Sequence, residues 1–233
     1  TADLVKLSTD AIAALSSSAV SALTTSQIAA LTTSQAVALT TDQIKQLGTA
    51  QVVALTSAQA SVLTSDQVSV LSATQVSKLE TADLAKLSTT AVAALSSAQT
   101  RSLTTDQVVA LSTAQAAALS TTSAAALTSA QVAALETADL AKLSTDAILA
   151  LTTTALRGLG SDQVAALTTG QLAAVTTAQL ASLTTAQVAA LTTVQASKLS
   201  TDQVTALTTA QVVALETADL AKKAESVRGK DES

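Results

Sequence analysis

Apolar and polar places along this chain follow one eight-residue pattern. The prevailing repeat reads Leu, two hydroxyl-bearing or small residues, a variable residue, Gln, a branched or aliphatic residue, two more places rich in Ala, and then the next Leu. Leu recurs at every eighth place from Leu7 to Leu215, with Val175 the one exception, and no insertion or deletion breaks the register. A short period held this long is the mark of a solenoid or array, in which each repeat contacts mainly its neighbours.

The segment from Leu183 to Leu191 serves as a type repeat: Leu183, Thr184, Thr185, Ala186, Gln187, Val188, Ala189, Ala190 and the next Leu. Thr184 and Gln187 have the spacing of a capping box, with the hydroxyl accepting from a free N–H and the Gln side chain returning to the cap's own N–H. Leu183 and Val188 flank it as the two halves of a hydrophobic staple. Each repeat therefore carries its own helix start. Because two hydroxyl residues stand side by side, the cap falls on either the first or the second.

A single continuous helix is the obvious rival. Eight residues at about 3.6 per turn make roughly 800°, so the leucine row would drift by about 80° per repeat and no apolar face would survive. The charges give a sharper test. From Lys6 to Lys198 every basic residue, such as Lys45, Lys78 and Arg101, stands in one of the two places before a leucine, and from Asp10 to Asp219 every acid, such as Asp42, Asp66 and Asp106, in the four places after one. Acid at the start and base at the end suits a helix macrodipole, and here the order resets every eight residues. Neither a long helix nor a β-solenoid predicts that reset.

The fold class expected is all-α, a solenoid or superhelix of very short helices, one per repeat, with three or four repeats to a coil. A helix of about six residues is unstable alone, so stacking must supply its stability. The organisation predicted is one repeat solenoid over residues 1–222 and a charged, disordered tail over 223–233, where Lys223 stands in place of the next Leu. The chain starts at Thr1 inside a repeat, which reads as a piece of a longer protein.

Composition narrows function by exclusion. The chain has 233 residues, a net charge of −5 and no His, Cys, Met, Phe, Tyr, Trp or Pro. No nucleophile–base pair built on His or Cys can form, nor any thiolate or imidazole metal site. Evenly spread acidic charge has the wrong sign for nucleic acid or an anionic membrane surface. A polar cluster returns in every repeat, so no run of about 18 apolar residues exists and membrane insertion is not expected. The expectation is no enzyme, no catalytic, cofactor-binding or metal residues, and no cofactor.

A variant cassette, Glu-Thr-Ala-Asp-Leu-Ala-Lys, occupies 80–86, 136–142 and 216–222. Its trios, Glu80/Asp83/Lys86, Glu136/Asp139/Lys142 and Glu216/Asp219/Lys222, read either as weak divalent-cation sites or as solvated helices with charges matched to the dipole. Two carboxylates fall well short of six ligands, which favours the second. The Thr pairs read as caps before they read as an exposed ladder for ice or glycan. Gly158 and Gly160 mark a kink or looser joint, or are merely tolerated.

Repeats such as Leu103–Leu111, LTTDQVVAL, resemble locally the opening helix of transcription activator-like effector repeats. This chain lacks that family's Pro, base-reading loop, longer period and basic surplus, so DNA binding is not carried over. The whole register more closely resembles octapeptide tracts of large, cysteine-free bacterial surface or secreted proteins. That resemblance implies a spacer, stalk or scaffold at the cell surface or outside the cell, whose partners are neighbouring repeats of a parent protein. The alternative is a binding module whose repeated face holds a protein, glycan or ice.

Overall fold

The turn between repeats is built from two extended residues. Leu167 closes one helix at φ −57° and ψ 134°, and Thr168 opens the next at φ −69° and ψ 156°. A β-region residue at each of these places redirects the chain, so the backbone turns without a left-handed residue, and among the described residues none has positive φ. The computed structural model describes residues 3–216. After a 3₁₀ turn at Leu4–Lys6, one α-helix follows per repeat from Thr9–Ala13 to Thr201–Thr205, each of four to six residues, with no strand among the described residues. The fold is an all-α solenoid of short helices. Residues 223–233 and all of the third cassette except Glu216 lie outside the described residues.

The cap sits on the first hydroxyl residue. Thr184 Oγ1 accepts from the Gln187 N–H at 3.2 Å, and Gln187 Oε1 accepts from the Thr184 N–H at 2.8 Å. Gly48 and Gly160 hold the cap place without a side chain, and there only the return bond to Gln51 or Gln163 is made. At the other end the leucine N–H turns back onto the helix, as in Leu191 to the Val188 carbonyl at 3.2 Å.

Two apolar rows form the core. From Leu31 to Leu191 the leucine row is nearly buried, Leu111 at 4% exposure, and over the same span the residue after each Gln is buried, Val108 and Val188 at 0%. Removing both from water supplies what a helix this short cannot supply itself. The place two before each leucine faces solvent, as Val37, Lys45, Val109 and Leu149 do.

The described residues form two compact bodies that divide between Ala126 and Leu127. Within the first, helix Ser97–Ser102 packs against Ala73–Lys78 below it and Thr121–Ala126 above it, three repeats away in each direction. Within the second, Thr145–Ala150 packs against Thr169–Ala174 in the same way. In both bodies the glutamine side chain reaches the end of the helix four repeats back, so each helix straddles two helices of the preceding coil. A coil takes between three and four repeats.

Gly158 does not loosen the stack. A Cβ there would lie 2.3 Å from the carbonyl oxygen of Ser129, on the helix three repeats earlier, so the residue permits a close approach. A Cβ at Gly160 would meet nothing nearer than 3.7 Å, which is ordinary contact.

Candidate functional site

The buried polar chemistry that recurs most in this chain belongs to the glutamines. Gln59 is 1% exposed, and its amide is fully used. Its Oε1 accepts from the Thr56 N–H at 2.8 Å, while Nε2 donates to the carbonyls of Ile28 at 2.8 Å and Leu31 at 2.7 Å, with Ala29 more distant at 3.4 Å. The last carbonyls of a short helix have no intrahelical donor, and a primary amide carries two N–H groups together with an acceptor oxygen. One side chain therefore caps its own helix and ties it to the open end of another.

The same pair of offsets, 31 and 28 residues back, holds from Gln43 on Ile12 and Leu15 through Gln67 on Ala36 and Leu39 to Gln115 on Leu84 and Leu87. It holds in the second body from Gln163 on Val132 and Leu135 to Gln203 on Leu172 and Val175. Reading Gln only as a capping partner missed this second role. A signal was present: Glu completes a capping box as well as Gln does, yet no repeat has Glu at this place. An acceptor alone does not suffice there; a donor is needed too.

Three kinds of residue replace Gln at its place. Ala11, Ala19, Ala91, Ala147 and Ala155 bring no polar atom, and Ser123 reaches the Leu95 carbonyl through its hydroxyl at 3.0 Å. Asp83 and Asp139 are the cassette acids, and each is only 2% exposed. The expectation of a solvated trio therefore fails for both: the aspartate is buried, while Glu80, Lys86 and Glu136 stay exposed. Asp83 Oδ1 accepts from the Ser57 hydroxyl at 2.6 Å, and Oδ2 of Asp83 and of Asp139 is buried without a hydrogen-bond partner. Glu80 and Glu136 cap their helices without a side-chain bond. The carboxylates of a trio do not converge, and no group of three His, Cys, Asp or Glu residues among those described could hold a metal ion.

The first hydroxyl of each pair is committed to its cap and the second is exposed, as Thr184 and Thr185 illustrate. Two open depressions, of about 560 and 490 Å³, lie side by side in the second body around Gly160 and Gly158. Glu136 and Asp162 edge one and Arg157 the other. Neither encloses a set of convergent polar groups such as a ligand site needs.

Compared with protein families, the chain matches the family described as the ALTTAQ repeat five times, over residues 1–33, 36–73, 76–113, 132–169 and 167–201. The hexapeptide of that description stands intact at 206–211, beyond the last matched stretch, and spans the end of one helix, the extended turn and the next Gln. No curated protein matches the chain.

Proposed function

Since the chain belongs to the ALTTAQ repeat family, we propose that it is a non-enzymatic structural segment, a spacer, stalk or scaffold of octapeptide repeats within a larger repetitive bacterial protein. The observation that carries this reading is the glutamine ladder. Its bonds run at fixed offsets of 31 and 28 residues, so each added repeat extends the stack by the same increment. A spacer needs that regularity and little else. The outward places support it as well, since the place two before each leucine holds Ala, Ser, Val, Lys, Arg, Thr and Leu at different repeats, which does not make a uniform recognition face.

The proposal includes a position outside the cell or on its surface, which rests on the resemblance to repetitive surface proteins. It assigns no nucleic acid and no glycan partner. Small-angle X-ray scattering on this chain, on a version lacking residues 80–135 and on one with them duplicated, tests the spacer role. The maximum dimension should change in proportion to repeat number. Saturable micromolar binding to a glycan or protein at physiological salt, with no such proportionality, would replace the spacer with a binding module.

A further inference from the structure

We propose that the Glu80–Lys86 cassette is a seam, the place where the coil stack of residues 1–126 opens in preference to any other. The glutamine ladder of this body is unbroken from Gln35 to Gln75, where every repeat places an amide on the coil below. It then lapses at two successive repeats, Asp83 and Ala91, and resumes at Gln99, Gln107 and Gln115. No glutamine reaches the carbonyls of Leu55 and Leu63, which stand 28 residues before those two places.

The lapse at Asp83 is threefold. Helix Thr81–Leu84 has no side-chain cap, since Glu80 makes none; it has no return bond from its third residue; and it sends no donor downward. Aspartate is one methylene shorter than glutamine and, when ionised, only accepts. Its second oxygen is left buried without a partner, which penalises the closed stack and not the open one, where water reaches it. Helix Thr89–Ala93 keeps its cap, Ser88 accepting from the Ala91 N–H at 3.1 Å, but Ala91 has nothing to donate.

Two neighbouring lapses matter more than two separate ones. Each helix straddles two helices below, so a single missing amide is flanked by ties on both sides. With two in succession, about half of one coil has no tie to the backbone below it, and beyond apolar contact it keeps the single Ser57–Asp83 side-chain bond. The pairing belongs to the cassette: Asp3 is followed by Ala11 and Ala19, and Asp139 by Ala147 and Ala155. Cassettes thus divide the chain into blocks that open separately, as nearest-neighbour coupling in a solenoid allows.

Native-state hydrogen exchange on the whole chain tests the seam. Amides of Thr81–Leu84 and Thr89–Ala93 should exchange about tenfold faster than those of Ser65–Ser69 and Thr105–Val109, the size expected for losing one to two net hydrogen bonds. Asp83→Gln restores cap partner and donor together and should slow seam exchange by about tenfold, on that same basis. Ala91→Ser is the gentler variant, because Ser123 shows that a serine hydroxyl at this place reaches the leucine carbonyl. It should slow exchange about threefold, and it decides the matter if Asp83→Gln does not fold. Uniform protection across the wild-type body, or folded variants that leave seam exchange unchanged, overturns the proposal.

Discussion

The side-chain amide of Gln59 donates to the backbone carbonyl of Leu31 at 2.7 Å, across 28 residues of sequence, while its oxygen caps the helix that Gln59 belongs to. Gln59→Glu keeps the acceptor and removes the donor, placing a carboxylate oxygen against two carbonyls in a buried site. We expect it to destabilise by about 2–4 kcal/mol at neutral pH, more than Gln59→Ala. Burial raises the folded-state pKa of such a carboxyl, so the folded variant holds its proton longer than the unfolded chain does. The defect should therefore be smallest in acid and grow as pH rises through the range where the buried carboxyl ionises. Urea melts of both variants at acidic and neutral pH measure this, and a pH-independent defect equal to that of Ala would refute it.

Leu111 is 4% exposed in the leucine row, whereas Ala117 faces solvent. Leu111→Ala should cost about 2–5 kcal/mol locally and Ala117→Ser almost nothing. Coupling runs mainly between neighbours, so hydrogen exchange should report the loss near residue 111 before distant coils respond.

The two glycines beside Leu159 should part company. Gly158→Ala puts a methyl 2.3 Å from the Ser129 carbonyl oxygen, a contact that backbone must yield to, at a cost of about 1–3 kcal/mol. Gly160→Ser adds a cap hydroxyl with no contact closer than 3.7 Å at its Cβ and should be neutral or stabilising by a few tenths, on the order of 0.3 kcal/mol. Thermal melts of the pair should move in opposite directions or differ by several degrees.

Thr184 and Thr185 separate cap from neighbour in the same manner. Thr184→Ala removes the hydroxyl that accepts from Gln187 and should cost about 1 kcal/mol, while Thr185→Ala should stay within about 0.5 kcal/mol of wild type. Equal losses would mean that the exposed hydroxyl has a role beyond the helix start.

Periodicity made much of this architecture legible from the residues. The reset of charge at every leucine located the helix boundaries, and Thr with Gln three residues on located the cap to within one place. The pair Thr184–Thr185 could not be resolved further, because either hydroxyl can cap and only the backbone angles decide. What stayed hidden depended on coil pitch. Asp83 reads as solvated on its own helix, and only the coil geometry buries it. Gly158 reads as a loose joint until Ser129, on the helix three repeats earlier, is found against it. The downward role of Gln was present in the sequence as the absence of Glu, but which carbonyls it meets follows from a pitch of three to four repeats that no single repeat encodes.

Turns made entirely with negative φ have a consequence for how the chain ages. Glycine and asparagine are the usual means of making tight reversals, and Asn–Gly is a common turn dipeptide. Here extended Leu–Thr pairs take over that work, and the chain contains no Asn at all, nor any Cys or Met. The side chains most prone to sulfur oxidation, and the Asn–Gly steps most prone to backbone rearrangement, are therefore missing from every reversal along its length. The amides that remain are mostly shut inside the ladder, so slow chemical damage finds few places to begin.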